Sequence, residues 1–321
     1  MRVLEESIKN ASIHHAYLFA GSRGIGKTSV ARIFATAIGT KPADLFEIDA
    51  ASNSKVEEMR DLTEKIRTLP FDSKYKVYII DEAHMLSRAA FNALLKTLEE
   101  PPPHVIFILA TTEQHKLPET IVSRCQSFTF RKPTEEEINK LIARAVLAEG
   151  YKIDKDSAAL ISLLADGSYR DALTYLEKAV SVSPDKSIEI NEVEKVTGAP
   201  KAGLVQKFAQ ALADGDQAQA LAVLEQVRVG NLDARIFTKL ALRIFRFGML
   251  LVFAPELGAT ISTQVSGAEF SFAQKMSRHP SAKNFPNVLR ELLSAYADIE
   301  LCYISILPIE LAVLRLLSPK T

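Results

Sequence analysis

The stretch "GSRGIGKT", Gly21 to Thr28, constrains this chain more than any other. It matches G-x-x-x-x-G-K-[ST], with the apolar run "AYLFA" (16–20) before it and the helix-like run "TSVARIFATAI" after it. A strand that turns into a helix through glycines aims backbone N–H groups and the positive helix end at one point, which suits a phosphate. Gly21, Gly24 and Gly26 permit close backbone approach, while Ser22, Arg23, Ile25 and Ser29 complete the loop and first turn. Lys27 is then placed to reach the outer phosphates, and Thr28 to ligate Mg²⁺. A chance glycine-rich turn is the plain alternative, and the strand–turn–helix context argues against it.

The surrounding pattern predicts an α/β fold. "LFEIDA", "KVYIID" (76–81) and "VIFILA" (105–110) read as further strands. Continuous apolar strands separated by helices imply a parallel sheet covered on both faces. Ser87 can cap a helix whose Phe91, Leu94, Leu95 and Leu98 follow the spacing of one buried face, and "EEPPP" ends it. In "VYIIDEAH" the strand ends in Asp81 and Glu82, at the edge where open α/β sheets bind ligands. Asp81 suits a Mg²⁺ partner and Glu82 a group that orients or deprotonates an attacking water; a solvated loop is the alternative. Thr111, after "VIFILA", lies at the same edge and could hold that water, sense a γ-phosphate, or be an ordinary strand-end threonine. His84 reads as a loop histidine bonded to backbone rather than a catalytic one.

Beyond Phe130 strand character disappears. Thr134 with Glu137, and Ser168 with Asp171, form capping-box patterns, and Gly150 and Gly167 are natural helix stops. The expected organisation is a nucleotide-binding α/β domain over 1–130, a small all-helical lid over 131–198 and a helical domain over 199–321. Arg170 falls in the first turn of a helix, where a cation opposes the helix dipole at a cost of about 0.3–1 kcal/mol. A nucleotide phosphate would offset that cost; pairing with Asp171 or Glu177 in solvent is the alternative.

Bulk properties exclude several classes. Thirty-nine basic residues balance thirty-nine acidic ones, so nucleic acid or membrane could be met only through a local surface. Cys125 and Cys302 are too few for a disulfide framework or a zinc site by themselves, and a reducing, cytoplasmic setting is the simple reading. The N-terminus lacks a signal-peptide core, and the most apolar run, Leu240 to Phe253, is interrupted by Arg243 and Arg246.

Five strings together, "HHAYLFAGSRGIGKTSVARIFA", "EIDAASNSKVEEMRDL", "KVYIIDEAHMLSRAAFNALLKTLEEPP", "ILATTEQHKLPETIVSRCQSF" and "GSYRDALTYLEKA", resemble the gamma/tau subunits of bacterial DNA polymerase III, the AAA+ ATPases of the sliding-clamp loader. The likeness is dense over about 8–180 and looser beyond. It implies an AAA+ module, a helical lid and a helical collar that assembles into a pentamer with gamma/tau, delta and delta-prime type subunits. It implies ATP-dependent opening of a sliding clamp and its loading on primed DNA. By position, Lys27 and Thr28 lie in the phosphate loop, Asp81 and Glu82 are the metal and water carboxylates, Thr111 is the first sensor and Arg170 the second. Arg124, in "IVSRCQSF", matches the arginine finger that serves the neighbouring subunit's ATP, with no obvious anion in its own chain; Cys125 beside it reads as a small buried residue. Ser54 and Glu57 mark a helix start, flanked by Lys55 and Arg60 as DNA-facing residues, with Asn53 where relatives often carry a basic residue; a solvated helix face is the alternative.

Three departures accompany the resemblance. Relatives carry a four-cysteine zinc module where this chain runs through "ATAIGTKPADLF", so no zinc is expected. They also begin earlier, with a segment that helps hold adenine, and this chain's end at "LLSPKT" implies the short form or a fragment. Two other readings stay open: a nucleotide-binding structural subunit without hydrolysis, or another AAA+ DNA motor.

Overall fold

The computed structural model describes residues 2–52, 66 and 68–318. Within them the chain divides into two compact units, 1–134 with 167–170, and 135–166 with 171–321.

The first unit is built on a parallel sheet of β1 (Ala16–Ala20), β2 (Leu45–Asp49), β3 (Lys76–Asp81), β4 (Val105–Thr111) and β5 (Gln126–Thr129). Its order is β2-β3-β4-β1-β5, so the first strand lies between the fourth and fifth. Alternate side chains of the strands face opposite sides. Leu18, Tyr78, Ile80, Phe107 and Leu109 pack with Ala90, Phe91, Leu94 and Leu98 of the helix Arg88–Glu99. Tyr17, Phe19, Val77, Ile79, Ile106 and Ile108 pack with Ala31, Phe34 and Ala35 of the helix Lys27–Ala37. The two-faced burial expected from the continuous apolar strands is therefore what the chain adopts. We label the helices of this unit α1 (Arg2–Lys9), α2 (Lys27–Ala37), α3 (Arg88–Glu99) and α4 (Glu119–Val122). Ser87 caps α3 through its side chain, which accepts the Ala90 N–H at 3.2 Å. Three aromatic rings run across neighbouring strands, with Phe46 and Tyr78 stacked at 5.0 Å and Tyr78 and Phe107 at 5.7 Å.

The second unit begins with α5 (Glu135–Ala148), α6 (Lys155–Leu164), α7 (Tyr169–Val182), whose first residues belong to the first unit, and α8 (Ile190–Thr197). The expectation of an all-helical lid needs correction. Lys152–Ile153 and Ser187–Ile188 form a parallel pair, β6 and β7, that joins the chain before α6 to the chain before α8. Two-residue strands are too short to leave a periodic signal. There follow α9 (Ala202–Asp214), α10 (Gln217–Val229), α11 (Ala234–Phe253), α12 (Gly258–Gln264), α13 (Gly267–Ser277), α14 (Phe285–Asp298) and α15 (Leu307–Leu317). Their core gathers Phe208, Phe237, Phe245 and Phe285, all essentially without exposure. Among the described residues no helix is long and apolar enough to cross a membrane.

The long helix α11 reaches α5 and α6 through two cations. The Lys239 ammonium donates to the Leu163 carbonyl at 2.6 Å, near the C-terminal end of α6. The Arg243 guanidinium, only 12% exposed, donates to Glu135 at 2.8 Å and to Glu269 at 2.8 Å.

One hydroxyl stands out in the sheet core. Tyr78 is fully buried, its Oη has no hydrogen-bond partner among the described residues, and burial pushes its phenol up to about 12. An unpaired buried hydroxyl costs about 1–3 kcal/mol. Tyr78→Phe, which keeps the stacked ring, is expected to raise stability by about 1 kcal/mol. A urea melt checks this; an unchanged or lower midpoint would show that the hydroxyl is satisfied.

Candidate active site

The loop 21–26 starts where β1 ends, and its entry continues the sheet: the Gly21 N–H donates to the Thr111 carbonyl at 3.1 Å, beside the Ala20–Thr111 register pair. Gly26, at φ 94°, starts α2 with no side-chain cap. Helix starts normally take a capping side chain, so the first-turn N–H groups of α2 are left for another acceptor. A methyl at Gly26 would meet nothing within 4 Å, whereas one at Gly24 would come 2.1 Å from Ser168 Oγ. Gly24 also accepts the Arg170 N–H at 3.2 Å. The buried Ser22 Oγ has no hydrogen-bond partner among the described residues.

Lys27 is 5% exposed and donates to the carbonyls of Gly21 and Ser22, both at 2.9 Å. Burial pushes its ammonium below the ordinary value; the charges of Glu82 and Asp81 oppose that shift, and Arg170 adds to it. Lys27, Asp81, Glu82 and Arg170 thus share one electrostatic neighbourhood, although they come from four places in the chain. Open space over Gly26, an uncapped helix start, an orphan hydroxyl and a buried ammonium fit a phosphate group. Arg23 and Ser29 are exposed at the rim, and Ile25 is buried beneath the loop.

Thr28 Oγ1 donates to Asp81 Oδ2 at 2.7 Å, which brings the first turn of α2 to the end of β3. A hydroxyl and a carboxylate oxygen are hard donors. Among the described residues no group of three His, Cys, Asp or Glu gathers that could hold a metal ion. A lone oxygen pair suits Mg²⁺, which takes its other ligands from water and phosphate. Glu82 follows with φ 47°, a left-handed conformation that costs a non-glycine residue about 1 kcal/mol or more. Its N–H donates to Asp81 Oδ1 at 2.9 Å, and its Oε2 accepts from Thr112 Oγ1 at 3.1 Å.

Thr111 is fully buried at the end of β4. Its hydroxyl lies 3.0 Å from His84 Nδ1 and accepts the Glu113 N–H at 3.0 Å. The expected backbone bond of His84 is therefore replaced by side-chain contacts, to Thr111, Glu82 and Glu113. The signal in the sequence was the three-residue step from Asp81 to His84, which a 3₁₀ turn over Ala83–Met85 folds back on the strand end.

Arg124 stands at another place, just after α4. It does have an anion in its own chain: its guanidinium donates to Glu99 Oε1 at 2.8 Å and to the Thr120 carbonyl at 2.8 Å. That anion was not obvious from the sequence because Glu99 lies 25 residues away, at the end of α3. With side chains 35% and 51% exposed, the pair contributes about 0–1 kcal/mol. Lys55 and Arg60, with Asn53, Ser54 and Glu57, lie outside the described residues.

A five-stranded parallel sheet in the order β2-β3-β4-β1-β5, with a phosphate loop after β1, acidic residues at the end of β3 and helices beyond, defines a P-loop module of the AAA+ type. The fold agrees with a solved Thermotoga maritima RuvB Holliday junction branch migration motor, at TM-score 0.52 and 22% identity, covering 65% of this chain and 72% of that one. Residues 39–134 match the family model described as DNA polymerase III, delta subunit. The chain is 38% identical over 251 residues to the DNA polymerase III subunit gamma of Buchnera aphidicola subsp. Schizaphis graminum, covering 71% of this chain and 68% of the relative. It is 41% identical over 277 residues to the DNA polymerase III subunit tau of Bacillus subtilis, covering 80% of this chain and 49% of the relative. The chain belongs to the gamma/tau family of DNA polymerase III subunits. It spans about half or less of the length of several curated relatives.

Cys125 packs partly buried against the sheet core, and burial pushes its thiol up to about 12. The folded state thus disfavours the thiolate, and this contribution to stability is intact below the unfolded pKa near 9 and fades as pH rises from 9 toward 12. Cys125 is expected to resist maleimide at pH 8 in the native chain and to react once unfolded. Mass spectrometry of the labelled peptide checks this; rapid native labelling at Cys125 would contradict it.

Proposed function

We propose that this chain is an ATP-hydrolysing motor subunit of the DNA polymerase III clamp loader, which opens a sliding clamp and loads it on primed DNA. The observation that carries the reading is the 2.7 Å pair of Thr28 and Asp81 beside buried Lys27, with Glu82 next in sequence, in a gamma/tau family member. A chain that only assembled would need none of these groups at one sheet edge.

In this reading Lys27 exchanges its carbonyl partners for phosphate oxygens, and the first-turn N–H groups of α2 meet the same anion. Thr28 and Asp81 hold Mg²⁺, which when bound neutralises charge on the phosphates. Glu82 orients the attacking water and takes its proton, and Thr111 acts as first sensor at the same edge. Arg170 serves as second sensor on the phosphates. Arg124 gives up its weak pair with Glu99 and completes the site of a neighbouring subunit. The partners are gamma/tau, delta and delta-prime type subunits in a pentamer, with the lid at 131–198 and the collar at 199–321. Lys55 and Arg60 face the DNA.

The test is ATPase activity of the reconstituted assembly with clamp and primed DNA. Glu82→Gln is expected to lower the rate by about 10²-fold or more; equal rates would overturn the motor reading. Arg124→Ala is expected to leave ATP binding by the isolated chain nearly intact and to lower hydrolysis in the assembly by about 10³-fold. Loss of binding in the isolated chain would overturn the assignment in trans.

A further inference from the structure

His84 is 8% exposed and lies between two carboxylates. Its Nε2 is 3.2 Å from Glu113 Oε2, and its Nδ1 is 3.5 Å from Glu82 Oε2. An ionised carboxylate only accepts hydrogen bonds, so in the neutral imidazole we assign the ring proton to Nε2, which faces the nearer one. Lys116 keeps Glu113 in that ionised form: it donates to Glu113 at 2.9 Å, and this bond holds the carboxyl below its usual range. The Nδ1 of His84 is then a lone pair, and the Thr111 hydroxyl 3.0 Å away donates to it.

A threonine hydroxyl has one proton and two acceptor positions. In Thr111 the proton goes to His84, and one acceptor position is taken by the Glu113 N–H at 3.0 Å. One acceptor position remains. It can receive a proton but has none to offer, so it suits a water O–H and not a phosphate oxygen. From these contacts we infer that His84 is a positioning residue, which fixes Thr111 as an acceptor for the attacking water rather than a donor to the γ-phosphate. The inference rests on the ATPase reading above.

Two acceptors, Thr111 and Glu82, then bind the two hydrogens of one water and leave its oxygen lone pair free. That oxygen forms the new bond to the γ-phosphorus, its proton passes to Glu82, and the bond to the β-phosphate oxygen breaks as ADP leaves. His84 touches neither water nor nucleotide in this scheme; it acts through the hydroxyl.

The test uses the full assembly with clamp and primed DNA, measuring kcat and KM for ATP hydrolysis and equilibrium binding of a fluorescent ATP analogue. Thermal melts of each variant verify the fold. His84→Ala is expected to lower kcat by about 10²-fold while KM and analogue binding stay within about twofold. His84→Asn, whose amide oxygen can accept the Thr111 proton, is expected to recover most of that loss. The double variant His84→Ala with Thr111→Val is expected to be no slower than Thr111→Val alone. Losses that multiply in the double variant, an unchanged kcat in His84→Ala, or weakened analogue binding that accounts for the loss would each overturn the role. A wild-type rate that Glu82→Gln leaves untouched would instead overturn the ATPase reading, whatever the His84 variants do.

Discussion

Burial of the central strands from both faces is the constraint on which the rest of the first unit depends. Tyr17, Leu18, Phe19, Tyr78, Ile79, Ile80, Phe107, Ile108 and Leu109 have no exposure at all. A strand packed that way can carry a working polar group only at its ends. Asp81 and Thr111 stand at two such ends, and the loop from Gly21 leaves a third, with the ladder bond from Gly21 to Thr111 tying it to its neighbour. The loop is thus held by the same register as the strands. Chemistry collects at this edge because the apolar packing excludes it elsewhere.

What was legible in the sequence was what local patterns encode. Continuous apolar runs marked β1, β3 and β4, and the spacing of Phe91, Leu94 and Leu98 marked the buried face of α3. The phosphate loop declared its own geometry, since only glycine sits comfortably at φ 94°. Asp81 and Glu82 were readable because they end a run that could only be a strand.

What was not legible came from partners that the fold brings together across sequence. Glu99 beside Arg124, and Glu113 beside His84, are contacts between separate loops and helix ends, and no periodicity predicts them. The pair β6–β7 was missed because two residues carry no pattern. Thr112 was overshadowed by Thr111, yet its hydroxyl reaches Glu82. In each case the residue type was visible and its company was not.

The grip of α11 on α5 and α6 has a mechanical meaning. This 20-residue helix is about 30 Å long. Lys239 takes hold near the end of α6, and Arg243, one turn further on, takes hold of the start of α5. Separating Glu135 from Arg243 would take away one of the two carboxylates that offset a charge almost wholly out of water, leaving Glu269 to compensate it alone. The segment of α5 and α6 is therefore pinned to the long helix at two points one turn apart, and two anchors resist a rotation that one alone would allow.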